Sequence, residues 1–169
     1  MSHAADTPVP GPDDRIVRID LDGASMGPGD VNAEHERRVA IADLLESNRF
    51  RPAAEAADGP YALRLAIEDD RLVFDVRQED DTPVRAFVFA LGPLRRIIKD
   101  YFVICESYYE AVRDAPLAQI EAIDMGRRGV HNDGSSLLRE RLAGKIEVDF
   151  DTARRLFTLI CALHRRAAL

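Results

Sequence analysis

The chain has 169 residues, a length that fits one domain able to bury a self-sufficient core. Hydrophobic residues make up 46% and charged residues 31%, ordinary for a globular protein, and two cysteines imply no disulfide framework. The formal net charge of -7 argues against a general attraction to nucleic acid or to an anionic membrane, since both reward a basic surface.

Residues 1–14 are rich in Pro, Ala and Asp without an apolar period and read as a flexible tail, leaving 15–169 as one domain. The tail has no apolar run of the kind a signal peptide needs, and no later stretch is long and uncharged enough to span a bilayer. The expected location is therefore the cytoplasm. Val17, Ile19 and Leu21 alternate with Arg18 and Asp20 as a half-buried strand, closed by the loop DGASMGPGD. A helix follows from about Asn32 to Asn48, with Asp30 or Asn32 as its cap and Ile41, Leu44 and Leu45 as its stripe. The segment Arg51 to Pro60 has no stripe and reads as a loop.

Three strands come next: Tyr61 to Ile67, Leu72 to Val76 and Val84 to Leu91, joined by short acidic connections that predict an antiparallel meander. The third is apolar on both faces, which predicts a central or doubly covered strand. Gly92-Pro93 opens a long helix to about Arg113, whose wide apolar arc predicts the main core helix. Pro116 starts another helix, Asn132-Asp133-Gly134 predicts a turn, and Ser135 or Ser136 can cap a short helix through Leu142. Ile146, Val148 and Phe150 alternate as a last strand, and Asp151 can cap a final helix whose face with Arg154, Arg155 and Arg165 should be wet. The fold class is α+β: an antiparallel sheet of four or five strands covered by four or five helices, with the helix around Lys99 across its inner face.

The stretch from Ile120 to Ser136 carries the candidate site. At 3.6 residues per turn, Leu117, Ile120, Asp124, Arg127, Arg128 and His131 share a face, so an apolar stripe runs into acid, base and imidazole. Buried charge requires a partner or a ligand. One reading is an anion site formed by Asp124, Arg127, Arg128, His131, Asn132 and Ser135, with guanidinium forks on phosphate or carboxylate oxygens and free N–H groups of a helix start beside them. The competing reading pairs Asp124 with Arg127 or Arg128 at helical spacing and leaves His131 to cap a helix end.

His131 is the first candidate for moving a proton and Glu106, at the edge of the long helix, the second. Glu34, His35 and Glu36 lack a second histidine at helical spacing, and Cys161 with His164 is half of a zinc-like pair without its other half, so no metal site is expected. Cys105 and Cys161 sit in apolar helical patterns as small core residues. Five Arg doublets, among them Arg127-Arg128 and Arg154-Arg155, offer forked donors for phosphate or carboxylate, but any single doublet is read first as solvated surface. No serine elbow, P-loop or cysteine–histidine motif is present, and no cofactor is indicated.

The strings EHERRVAI, KDYFVICESYY, IEAIDMGRRGVHNDGSS and LAGKIEVDFDTARRLFTLICALH closely resemble an alphaproteobacterial family catalogued as uncharacterised, UPF0262. The resemblance covers nearly all of Arg15 to His164 and implies a bacterial cytoplasmic protein. It brings no activity, cofactor or catalytic residue. The expected function is a non-enzymatic binding or regulatory module, with a protein partner, a second copy or a small anionic ligand at the surface around Asp124 to Ser136. The alternative is an enzyme or sensor for a phosphorylated or carboxylated metabolite.

Overall fold

The computed structural model describes residues 11–22, 31–53 and 56–167, with the side chains of 31–33 and 165–167 excepted. Most of the expected flexible tail, the cap Asp30 and the side chains of Asn32 and Arg165 therefore lie outside what is described. The elements in chain order are β1 (Ile16–Leu21), α1 (Val31–Glu46), β2 (Phe50–Pro52), β3 (Tyr61–Glu68), β4 (Arg71–Gln78), β5 (Pro83–Ala90), α2 (Gly92–Asp114), α3 (Leu117–Leu142), β6 (Ile146–Val148) and α4 (Phe150–Ala167). This is an α+β fold with four helices among the described residues, a four-stranded sheet in the order β1-β3-β4-β5, and a two-stranded ribbon of β2 with β6.

The meander β3-β4-β5 is antiparallel, whereas β1 runs parallel to β3, so the sheet is mixed. A parallel pair needs a crossover, and α1 lies in the connection that supplies it. The β3–β4 hairpin turns on Asp69 and Asp70, at φ 49° and 60°. A tight turn that matches strand twist needs two left-handed residues, and Asp tolerates that conformation better than most.

Two expectations are corrected here. The strand Val84 to Leu91 is not central: β5 closes one edge of the sheet, with Phe87 buried on the inner face and Val88 exposed on the outer one. Its apolar alternation has the look of a doubly covered strand because Ala86, Val88 and Ala90 are apolar and wet at once. The main core helix is α4 rather than α2. Ala153, Leu156, Phe157, Leu159, Ile160, Cys161 and Leu163 of α4 are buried, and the helix packs on α1, α3 and β3. In α2 only Leu94, Ile98, Tyr101 and Ala111 are buried, and the helix forms a hairpin with α3.

The predicted break at Asn132-Asp133-Gly134 does not occur. α3 continues through it for 26 residues. Gly134 lies so close to α4 that a Cβ there would fall 2.3 Å from Phe157 Cζ, so the glycine serves helix–helix contact rather than a turn. Ser135, fully buried, returns its hydroxyl to the His131 carbonyl at 2.7 Å and needs no cap role. The left-handed glycine that ends the helix is Gly144, at φ 88°.

Side chains lock α4 against α1. Asn48 accepts from Ile16 N at 2.7 Å and donates to the carbonyls of Ile16 and Leu44 at 2.9 and 2.7 Å, tying the end of α1 to β1. Buried Thr152 accepts from Arg49 N at 2.9 Å, which joins the start of α4 to the turn after α1. Asp149, not Asp151, caps α4, accepting from Thr152 N at 2.9 Å.

Candidate functional site

The faces of α1, α3 and α4 diverge over Tyr101 of α2 and enclose a cleft of about 550 Å³. α1 contributes His35, Glu36, Val39, Ala40 and Asp43; α3 contributes Arg127, Arg128 and His131; α4 contributes Asp151, Arg154, Arg155 and Thr158. Each set follows helical spacing, so each of the three helices turns one face onto a common space. Four arginines meet three carboxylates there, in a chain whose net charge is -7.

Arg127 is the best-held member. Its side chain is 23% exposed. It donates from Nη2 and Nε to Asp124 Oδ1 at 2.7 and 3.2 Å, lies 3.6 Å from Glu36 Oε1, and stacks 4.4 Å over the Tyr108 ring. Burial alone would lower its pKa, but the hydrogen bond to Asp124 and the surrounding negative charge raise it. Asp124 is held below the usual carboxylate range chiefly by that same hydrogen bond. Its other oxygen takes Arg128 at 3.1 Å, while the Arg128 side chain remains 75% exposed. Both helical pairings of Asp124 are thus formed. Guanidinium groups carry five N–H donors each, so these pairings leave donors facing the cleft.

Glu36 is anchored from α2: Tyr109 Oη donates to its Oε1 at 2.7 Å. Burial and then this hydrogen bond push the Tyr109 phenol well above its ordinary range, which keeps it a donor. On α4, Arg155 donates to the Ser47 carbonyl at 2.7 Å, and Arg154 lies 3.8 Å from Asp151.

His131 does not cap a helix end, because α3 passes straight through it. Its ring packs edge-on to Tyr101 and Phe157, with centroids 5.1 and 5.2 Å away. Nε2 lies 2.8 Å from Thr158 Oγ1, and that hydroxyl is 3.2 Å from the Arg154 carbonyl. With the threonine proton on the carbonyl, Nε2–H donates to Thr158. Burial first, and the charges of Arg154 and Arg127 second, push the imidazole down to about 4, so it is neutral at pH 7.

The remaining predicted residues separate. Asn132 is exposed and does not line the cleft, and Ser135 lies beneath α3 in the core. The helix start expected beside them is absent, so their N–H groups belong to the continuous helix. Glu106 lines a different, smaller cavity of about 60 Å³ with Tyr109, Cys105 and Cys161. That cavity meets the cleft at Glu36, Tyr101 and Thr158, which wall both. Cys161 is buried, and burial raises its thiol well above the ordinary value, as befits a core residue.

The sequence reading missed the α1 and α4 walls. A signal for α4 existed in the Arg154-Arg155 doublet, and its helical partner Thr158 lies one turn on. Nothing in the sequence aligned that face with Arg127 and Arg128.

With the geometry in place, comparison with known proteins gives one consistent result. The model of the uncharacterised protein family UPF0262 matches residues 13–166. The chain belongs to this family. A family member from Maricaulis maris is 87% identical over 156 residues, covering 92% of this chain and 97% of the relative. Another from Azorhizobium caulinodans is 58% identical, covering 90% and 95%, and one from Brucella canis is 54% identical, covering 92% and 96%. The resemblance in the four sequence strings is thereby confirmed, in organisms that are alphaproteobacteria. No solved structure matches the chain. Among the described residues no helix is long and apolar enough to cross a membrane.

Proposed function

We propose that this UPF0262 protein is a cytoplasmic binding or regulatory module that holds a small anionic ligand in the α1–α3–α4 cleft without transforming it. The observation that carries this reading is the convergence of Arg127, Arg128, Arg154 and Arg155 from two helices on one concave space in an acidic chain. Forked guanidinium donors suit phosphate and carboxylate oxygens. Arg127, held by Asp124 and Tyr108, gives a fixed donor, and exposed Arg128 and Arg154 can swing onto the ligand. Glu36 and Asp43 on the facing wall favour a ligand that also carries a hydroxyl or ammonium group.

A second reading rests on the Thr158–His131 contact. A hydroxyl 2.8 Å from an imidazole, in an arginine-lined cleft, is the pairing that acyl or phosphoryl transfer would use once the Thr158 proton turns from the Arg154 carbonyl to an unprotonated Nε2. A base with a pKa of about 4 accepts protons weakly at pH 7, which favours the binding reading.

The test is thermal unfolding of the wild type, Arg128→Ala and Arg154→Ala with inorganic phosphate, sugar phosphates, nucleotides and dicarboxylates. A ligand at a hundred times its Kd should add about 2.7 kcal/mol, or roughly 5–10 °C for a chain of this size. The variants should lose most of that shift. No stabilisation by any of these anions, or equal stabilisation of all three proteins, would count against the cleft. Turnover of a stabilising ligand, abolished in Thr158→Val, would promote the second reading.

A further inference from the structure

The unpaired edge of β5 has a property that the cleft does not explain. β5 hydrogen-bonds to β4 on one side and to no strand among the described residues on the other. Its first half carries protection familiar from natural edges: Pro83 opens the strand, and the register shifts opposite Arg77. Its second half has only Lys145 beside it, whose Nζ lies 5.2 Å over the Phe89 ring on the inner face. Ala86, Phe87, Val88, Phe89 and Ala90 contain no charge and no proline, and Ala86, Val88 and Ala90 are exposed, Val88 at 45%. The opposite edge, β1, carries Arg18 and Asp20.

Those five residues read the same in both directions: Ala-Phe-Val-Phe-Ala. In an antiparallel pair about a two-fold axis, residue i meets its mirror position, so an isologous contact demands a self-complementary segment. Centred on Val88, the pairing sets Ala86 against Ala90, Phe87 against Phe89 and Val88 against its own copy. Phe87 and Phe89 face the core, where Phe89 meets the Phe74 ring at 5.6 Å, and their alignment would continue the inner layer across the axis. On the outer face Val88 lies beside Val73, so the two copies would join a row of four valines.

We propose that the protein forms a two-fold dimer by antiparallel pairing of β5 with β5 of a second copy, making one eight-stranded sheet. The occupant is a second copy rather than a foreign strand because the free edge is symmetric about its own centre. Five paired residues make a small interface, so the dimer is a reversible one.

The test is sedimentation of the whole chain from roughly 1 to 200 µM, the range in which a small interface dissociates. The wild type should move toward twice 18.8 kDa as concentration rises. Val88→Lys and Val88→Glu place like charges opposite each other at the axis. The position is exposed in one chain, so each variant should fold, as checked by circular dichroism, and should weaken self-association at least tenfold. Mixing the two should restore a dimer by pairing Lys with Glu. A wild type of 18.8 kDa throughout, a dimer that neither variant weakens, or a mixture that stays monomeric would overturn the proposal.

Discussion

His131 gives the sharpest quantitative test of the site. Its pKa in the folded chain is about 4, against about 6.5 when unfolded. Above pH 6.5 the ring is neutral in both states and its full contribution to stability is present. As pH falls below 6.5 the unfolded chain binds a proton that the folded chain refuses, so stability declines until the folded ring titrates near 4. Linkage puts the loss at about 2 kcal/mol by pH 5 and about 3 kcal/mol once both states are protonated. The comparison is with His131→Phe, which retains a ring between Tyr101 and Phe157 and does not titrate. Thr158 still has the Arg154 carbonyl as partner in that variant. Carboxylates, and His164 with its pKa lowered by burial and by Arg95 and Lys99, titrate alike in both proteins. Urea unfolding from pH 7.5 to pH 5 should therefore show the wild type losing about 2 kcal/mol more than the variant. A constant packing offset does not matter, because only the pH dependence of the difference is read. A difference that stays flat over this range would refute the account of a buried ring pressed by two arginines.

Gly134→Ala should destabilise by roughly 1–3 kcal/mol despite the better helix propensity of alanine, because the added methyl meets the fully buried Phe157 ring. A higher midpoint in urea would mean that α3 and α4 are not in this close contact. Arg127→Ala should cost about 2 kcal/mol by leaving Asp124, Glu36 and the Tyr108 face without their shared partner. Arg128→Ala, 75% exposed, should cost less than about 0.5 kcal/mol in the same assay. Equal losses would contradict the different burial of the two arginines.

The sequence by itself determined the elements that local rules govern. The alternation of β1, β3 and β4, the acidic tight turn at Asp69-Asp70 and the Pro93 helix start all follow from period and turn chemistry. Asp124, Arg127, Arg128 and His131 were legible as a charged continuation of an apolar stripe, because helical spacing alone aligns them. Tertiary structure decided what lay beyond one element. The Asn132-Asp133-Gly134 segment has turn propensity worth a kcal/mol or so, and packing of Gly134 on Phe157 outweighs it. Whether an apolar strand is central or an edge depends on what lies beside it, so Ala86, Val88 and Ala90 carry no local mark of exposure. The cleft itself required α4 to be docked on α1 through Thr152 and Arg49. That contact, with the packing of α4 on α3 at Gly134–Phe157 and His131–Thr158, brings Arg154, Arg155 and Thr158 to face residues more than twenty positions earlier in the chain.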